Sequence, residues 1–209
     1  MTIRSSVMVM TLFVGGCVAV GDPLPPAPPG TRVATIEVVD AVISPGKFSH
    51  EVWDAFGTVP TDVWTGLATA LGAPEPFTAV MGLLDTQTAL LPKPDPFGAA
   101  TLLSGFSADD GVDYPLATLD NNLQDTFTPT WPTPAHWDNV PLTPDLRVKV
   151  NLTDKDLSAH DPIGVVELNS QAIEAALAAG QPLHVKVSEQ ANAQILFVGI
   201  LVQQTGVTQ

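Results

Sequence analysis

Three aspartates late in the chain are the residues best placed to do chemistry. Asp154 and Asp156 stand on either side of Lys155, and Asp161 returns after a short polar stretch, just before Pro162-Ile163-Gly164. In an extended segment, side chains two apart point the same way, so Asp154 and Asp156 share a face. Carboxylates crowded into one turn repel one another unless something positive lies between them. Hard oxygen ligands at this density suit calcium. Asp and Ser are also ordinary turn formers, so a pair of acids alone would equally describe a solvated loop. The case for metal therefore rests on what the rest of the chain brings to the same place.

Other chemistries find little support. The four histidines, His50, His136, His160 and His184, lack the H-E-x-x-H spacing of a zinc protease. The chain has no G-x-S-x-G elbow and no glycine-rich phosphate loop after a strand. His160 beside Asp161 has the composition of an acid–base pair, but sequence neighbours on a loop ordinarily face water. The chain reads as a non-enzyme. Trp53, Trp64, Trp131 and Trp137 read as core or loop-packing residues. Asp109, Asp110 and Asp113 resemble a fragment of a calcium loop, yet Gly111 comes too early for an EF-hand, and they read as turn residues.

The chain has 209 residues with 45% hydrophobic content, enough for a domain with a proper core. Its formal net charge of −14 argues against nucleic acid and against unaided contact with anionic lipid, since either partner would be repelled. A cation would have to bridge any such contact. Near the N-terminus, Arg4 precedes the apolar run Val7–Val14, and small residues then lead to Cys17, which together read as an export signal. The run is too short to span a bilayer as a mature helix. Val14-Gly15-Gly16-Cys17 resembles a bacterial lipobox, which implies cleavage before Cys17 and lipid, palmitate included, on that residue. As the chain's one cysteine, Cys17 leaves no partner for an intrachain disulfide.

Residues 1–16 thus read as a lipoprotein signal peptide and 17–31 as the lipidated cysteine with a tether made semi-rigid by Pro23, Pro25, Pro26, Pro28 and Pro29. Folded structure is expected over 32–205. The β-branched residues of Arg32–Ile43 predict a first strand, which Ser44-Pro45-Gly46 ends. Irregular loop follows at His50–Gly57. A helical insertion is expected at about 59–91: one helix with Thr61 as N-cap and Gly72 as stop, a second from Phe77 to Leu90. Strands are expected at Phe97–Ser104 and Tyr114–Leu119, joined through Asp109-Asp110-Gly111. Ala135–Leu142 and Leu146–Leu152 read as a hairpin, followed by a strand at Ile163–Leu168. Ser170 is expected to cap a helix ending at Ala179, which Gly180 and Pro182 close. Leu183–Val187 and Gln194–Gln203 are the last strands, the final one apolar enough to be central. About eight short strands and few helices predict an all-β sandwich.

Spread over Arg32–Gln203, this pattern resembles the C2 domain, a calcium- and phospholipid-binding β-sandwich family. Asp95-Pro96-Phe97 is similar to the S-D-P-Y element closing its first calcium loop. Thr126-Phe127-Thr128-Pro129-Thr130-Trp131 is similar to its T-x-N-P-x-W element, and Asp154-Lys155-Asp156 with His160-Asp161-Pro162-Ile163-Gly164 to its third-loop D-x-D…D-x-I-G run. The resemblance implies an eight-stranded antiparallel sandwich, in the family's second, circularly permuted topology because no strand fits before the Arg32 strand, with the helical insertion in the first loop. It implies calcium ligands at Asp95, Asp154, Asp156 and Asp161. The remaining first-loop ligand normally lies about six residues before Asp95, where this chain has Ala89. Asp54 is the best substitute, ahead of Asp40 and Asp85. The expected function is that of an envelope lipoprotein, anchored at Cys17 and expected in the outer membrane, whose tip binds calcium and thereby a phospholipid head group or an envelope protein. The alternative is a metal-free scaffold of the same fold.

Overall fold

The computed structural model describes residues 25–116, 125–156, 160–187 and 193–209. The residues expected as signal peptide, Cys17 and the tether as far as Leu24 therefore lie outside the described residues. In chain order the elements are β1 (Arg32–Ile43), α1 (Thr61–Leu71), α2 (Pro76–Gln87), β2 (Pro96–Leu103), β3 (Asp113–Leu116), β4 (Thr130–Pro141), β5 (Arg147–Asp154), β6 (Asp161–Asn169), α3 (Ser170–Ala179), β7 (Leu183–Lys186) and β8 (Ile195–Val207).

Two four-stranded antiparallel sheets stack face to face, with strand orders β4-β1-β8-β7 and β3-β2-β5-β6. This is an eight-stranded antiparallel sandwich, as expected, with the helical pair inserted between β1 and β2. Alternation builds the core. Ala34, Ile36 and Val38 of β1, and Val148, Val150 and Leu152 of β5, are each fully buried, while their neighbours turn outward. β8, between β1 and β7, is buried on both faces over Ile195–Ile200. Its outer face is covered by the insertion: Phe77 of α2 meets Phe197 edge-on at 5.6 Å and stacks on His184 of β7 at 3.7 Å.

One strand pairing differs from expectation. The segments 135–142 and 146–152 form no hairpin. β4 pairs with β1, and β5 pairs with β2 and β6, so the short Thr143–Asp145 link crosses from one sheet to the other. Each segment carries an apolar inward face, and burying those faces against each other across the core removes more apolar surface than edge pairing would.

Both expected N-caps also shift by one residue. Pro60 holds the cap position of α1, with Thr61 already helical. For α3 the cap is Asn169, whose Oδ1 accepts the Ala172 N–H at 3.0 Å, while the Ser170 hydroxyl donates to Pro144 O. Gly180 ends α3 in the left-handed conformation that glycine adopts without steric cost. α2 ends at Gln87, earlier than expected, and Leu90 is left exposed. The expected strand over Tyr114–Leu119 is described as far as Leu116; its last residues lie outside the described residues.

Candidate metal centre

Strand alternation does not stop at the last apolar residue of β5. Val148, Val150 and Leu152 face the core, and Asp154 is next in the same register, so the strand carries a carboxylate inward at its end. Asp154 is 0% exposed. Pairing then brings two further acids to that end: Asp154 lies opposite Pro96 of β2, next to Asp95, and opposite Asp161 of β6. Close packing of β2 on β5 depends on Gly98, where an added Cβ would collide with Asn151 O. Asp95 donates its N–H to Asp154 Oδ1 at 2.7 Å, and Lys155 donates its own N–H to Asp95 O at 3.1 Å.

Asp54 arrives from the other sheet, on the loop after β1. Trp53 anchors that loop: its ring is fully buried and its Nε1 donates to Ser44 O at 3.0 Å. A bridge between Glu51 and Thr58 closes the loop base. With Trp53 inward, Asp54 is presented over the end of β5. One carboxylate oxygen each from Asp54, Asp154 and Asp156 lie within 4.8 Å of one another. Asp154 Oδ2 is buried and has no hydrogen-bond partner among the described residues.

The electrostatics of the trio are unfavourable as it stands. Burial, then the charges of Asp156 and Asp95, push Asp154 up to about 6, although the Asp95 N–H and Lys47 work in the opposite direction. Asp54 is pushed up to about 7 by burial of its carboxyl end, the charge of Asp154, a hydrogen bond with Asp156, and the charges of Asp156 and Asp95. Residue Asp54 as a whole is exposed, but its carboxylate is the part that meets the cluster.

The five expected ligands are thus brought to one end of the sandwich in two different ways. Asp54, Asp154 and Asp156 form the compact group. Asp95 borders it, but its Oδ1 accepts the Asp125 N–H at 2.8 Å. Asp161 is taken by Lys47, whose Nζ makes a short salt bridge to Asp161 Oδ2. Lys47 is the residue at this tip that sequence reading missed, because no spacing rule links a lysine after β1 to an aspartate opening β6. Residues 157–159 of the third loop lie outside the described residues. Asp40 is not in the group; it faces His184, with Nε2 to Oδ2 at 3.1 Å. Asp85 is on α2, apart from it. Asp109, Asp110 and Asp113 are satisfied locally: Asp110 accepts the N–H groups of Ser104 and Gly105, and Asp109 and Asp113 accept from Tyr114 and Thr101 hydroxyls.

The donor set fits a calcium ion. Oxygens on one ion at about 2.3–2.6 Å can be at most about twice that distance apart, about 5 Å. The 4.8 Å envelope meets this limit. All three donors are carboxylates, and one belongs to Asp154, which is buried and whose Oδ2 has no hydrogen-bond partner among the described residues. The raised carboxyls set a pH dependence. An acid whose folded-state pKa lies above its ordinary value near 3.8 makes the folded protein bind protons more tightly than the unfolded chain, so stability falls as pH rises. The metal-free protein should therefore lose this contribution between about pH 4 and pH 7, the range from the ordinary to the raised values. Calcium affinity should rise over the upper part of the same range, as ligands shed their protons. Melting curves and calcium titrations at pH 5.5 and 8 would check both; affinity independent of pH would count against these acids as ligands.

No family model matches the chain, and no curated protein matches it by sequence. Several solved structures share its chain course. It is similar to a structure holding two C2 domains of extended-synaptotagmin 2, at 13% identity and a TM-score of 0.44, covering 94% of this chain and 48% of that one. It is similar to a single C2 domain of a plant extended synaptotagmin 1 at 11% identity and a TM-score of 0.41, covering 84% of this chain and 97% of that one. A human GIVD cytosolic phospholipase A2, solved with a fluorophosphonate inhibitor and terbium chloride, matches at 15% identity and a TM-score of 0.41, covering 85% of this chain. The chain spans only 18% of that phospholipase and about half of the extended-synaptotagmin 2 structure. These likenesses concern the path of the chain alone, and the sandwich itself rests on the strand pairing described above.

Proposed function

We propose that this chain is an envelope lipoprotein, anchored through Cys17, whose sandwich tip binds calcium and through it attaches to a phospholipid surface. The observation that carries the metal reading is the fully buried carboxylate of Asp154, which groups with the carboxylates of Asp54 and Asp156 and whose Oδ2 has no hydrogen-bond partner among the described residues. A buried carboxylate oxygen without a partner is costly, and a cation is what would offset that cost. Asp54, Asp154 and Asp156 would hold the ion, while the Asp95 N–H fixes the rotamer of Asp154. A bound calcium would supply positive charge and an incomplete coordination sphere where the bare tip is anionic.

One observation favours lipid over a protein partner. Phe48 is 62% exposed and Phe56 fully exposed, and both belong to the loop that delivers Lys47 and Asp54 to the tip. Apolar rings at the rim of an ion site suit insertion among lipid head groups. The lipid anchor and the proline tether would keep this tip near a bilayer, with the outer membrane as the proposed location. The role proposed is binding rather than catalysis: among the described residues the acidic group at the tip consists of Asp54, Asp154 and Asp156 and includes none of His50, His136, His160 and His184.

A melting experiment tests the metal reading. At calcium a hundredfold above the dissociation constant, binding to the folded state alone adds about 2.7 kcal/mol. For a domain of this size that is a rise of about 5–10 °C in the midpoint. An unchanged midpoint in millimolar calcium, relative to chelator, would leave the metal-free scaffold as the surviving reading.

A further inference from the structure

Lys47 stands against the direction of the site it borders. A tip that gathers five acids would be expected to leave its mouth open to an incoming cation. Instead, a cation of the chain's own is already there. Its position is built rather than incidental. Ser44-Pro45-Gly46 turns the chain tightly at the end of β1, and Gly46 has no room for a side chain, since a Cβ would collide with Val59 Cγ2 and lie 2.7 Å from Glu51 O. The Lys47 N–H donates to Glu51 O at 2.9 Å, and the next N–H, that of Phe48, donates to Gln194 Oε1 at 2.7 Å. With its backbone pinned on both sides, the side chain reaches Asp161 and passes its ammonium 5.5 Å from the Trp53 ring centre. Burial works against its charge, but Asp161, then Asp154 and Asp156, outweigh that and raise its pKa.

We infer that Lys47 is the resident counter-ion of the acidic tip: its ammonium offsets the repulsion among the acids in the metal-free protein, holds Asp161 away from the Asp54–Asp154–Asp156 group, and competes with a divalent ion for that group. The competitive part rests on the calcium reading; the counter-ion part does not. The chain thereby sets a threshold. A tip with an internal cation stays folded without metal and fills only at calcium levels high enough to outcompete a tethered positive charge. Like charges brought close in a poorly solvated site repel strongly, so removing one should be felt directly in affinity.

The experiment uses the full chain, as wild type, Lys47→Gln and Lys47→Arg, each melted without calcium and titrated with calcium chloride by calorimetry at pH 7.5. The expected result is a lower metal-free midpoint for Lys47→Gln together with calcium binding about tenfold tighter or more, and values near wild type for Lys47→Arg, which keeps the charge. Loss of packing alone would lower the midpoint without tightening metal binding. An unchanged metal-free midpoint in Lys47→Gln overturns the inference, and calcium binding that is present but no tighter than in the wild type overturns its competitive part. If neither protein takes up calcium while the Lys47→Gln midpoint still falls and Lys47→Arg restores it, the counter-ion stands and the calcium reading fails.

Discussion

Replacing Asp154 with Asn should move two properties in opposite directions: the metal-free protein becomes more stable, and calcium binding weakens by about a hundredfold or more. The side chain keeps its shape. Asn Oδ1 can still accept the Asp95 N–H, as Asp154 Oδ1 does at 2.7 Å. The amide nitrogen would occupy the place of the unpartnered Oδ2 and could donate to the carboxylates of Asp54 and Asp156. What disappears is a charge that burial and its neighbours oppose, as the rise of its pKa to about 6 reflects. Each pKa unit corresponds to about 1.4 kcal/mol, so the gain at pH 7.5 should be on the order of 2 kcal/mol. Near pH 4 the native carboxyl is itself protonated, and the gain should vanish. Loss of a charged, buried ligand should cost calcium more than the tenfold to hundredfold typical of residues that only support ligands. Melting curves with chelator and calorimetric titrations would read the two effects. A destabilised Asp154→Asn protein with intact calcium affinity would sink the proposed site.

Substituting Phe48 and Phe56 together by Ser should abolish calcium-dependent attachment to lipid while leaving calcium binding itself in place. Both rings are largely or wholly exposed, so their removal forfeits little core packing. Burying a phenylalanine side chain in an apolar phase is worth about 1.5–3 kcal/mol. Losing two should reduce vesicle partitioning by about a hundredfold or more. The measurement is co-sedimentation with phosphatidylglycerol vesicles, with calcium or with chelator, in a Cys17→Ser background so that the anchor does not hold the protein on the membrane. Without calcium, a chain of net charge −14 should stay off such vesicles. Unchanged partitioning of the double variant would redirect the tip towards a protein partner.

Much of the fold is legible in the sequence because it is written in neighbouring residues. The β-branched run of β1 and its closing Ser44-Pro45-Gly46 turn place that strand at the expected residues, Arg32–Ile43. The inward orientation of Asp154 was also within reach: it extends the Val148, Val150, Leu152 alternation by one step. The alternation could not say which strands pair. A period of two describes a face, not the partner on either edge, so β4 and β5 look like a hairpin when read alone and turn out to lie in different sheets. Caps shift for a similar reason, since the Asn169 side chain and the Ser170 hydroxyl can each serve the first turn, and packing against Pro144 decides between them.

By itself, the sequence determined an acidic, strand-rich chain with carboxylates massed at strand ends and a lipobox-like segment ahead of it. Those are local properties, set by composition and by the two-residue period of extended backbone. Tertiary structure decided which acids meet. Asp54 reaches Asp154 and Asp156 because Trp53 buries itself beneath the loop, and Asp161 is drawn to Lys47 because β6 opens beside the turn that ends β1. Such meetings depend on the summed packing of two sheets, and that sum is reached only when residues far apart in the chain are brought into contact.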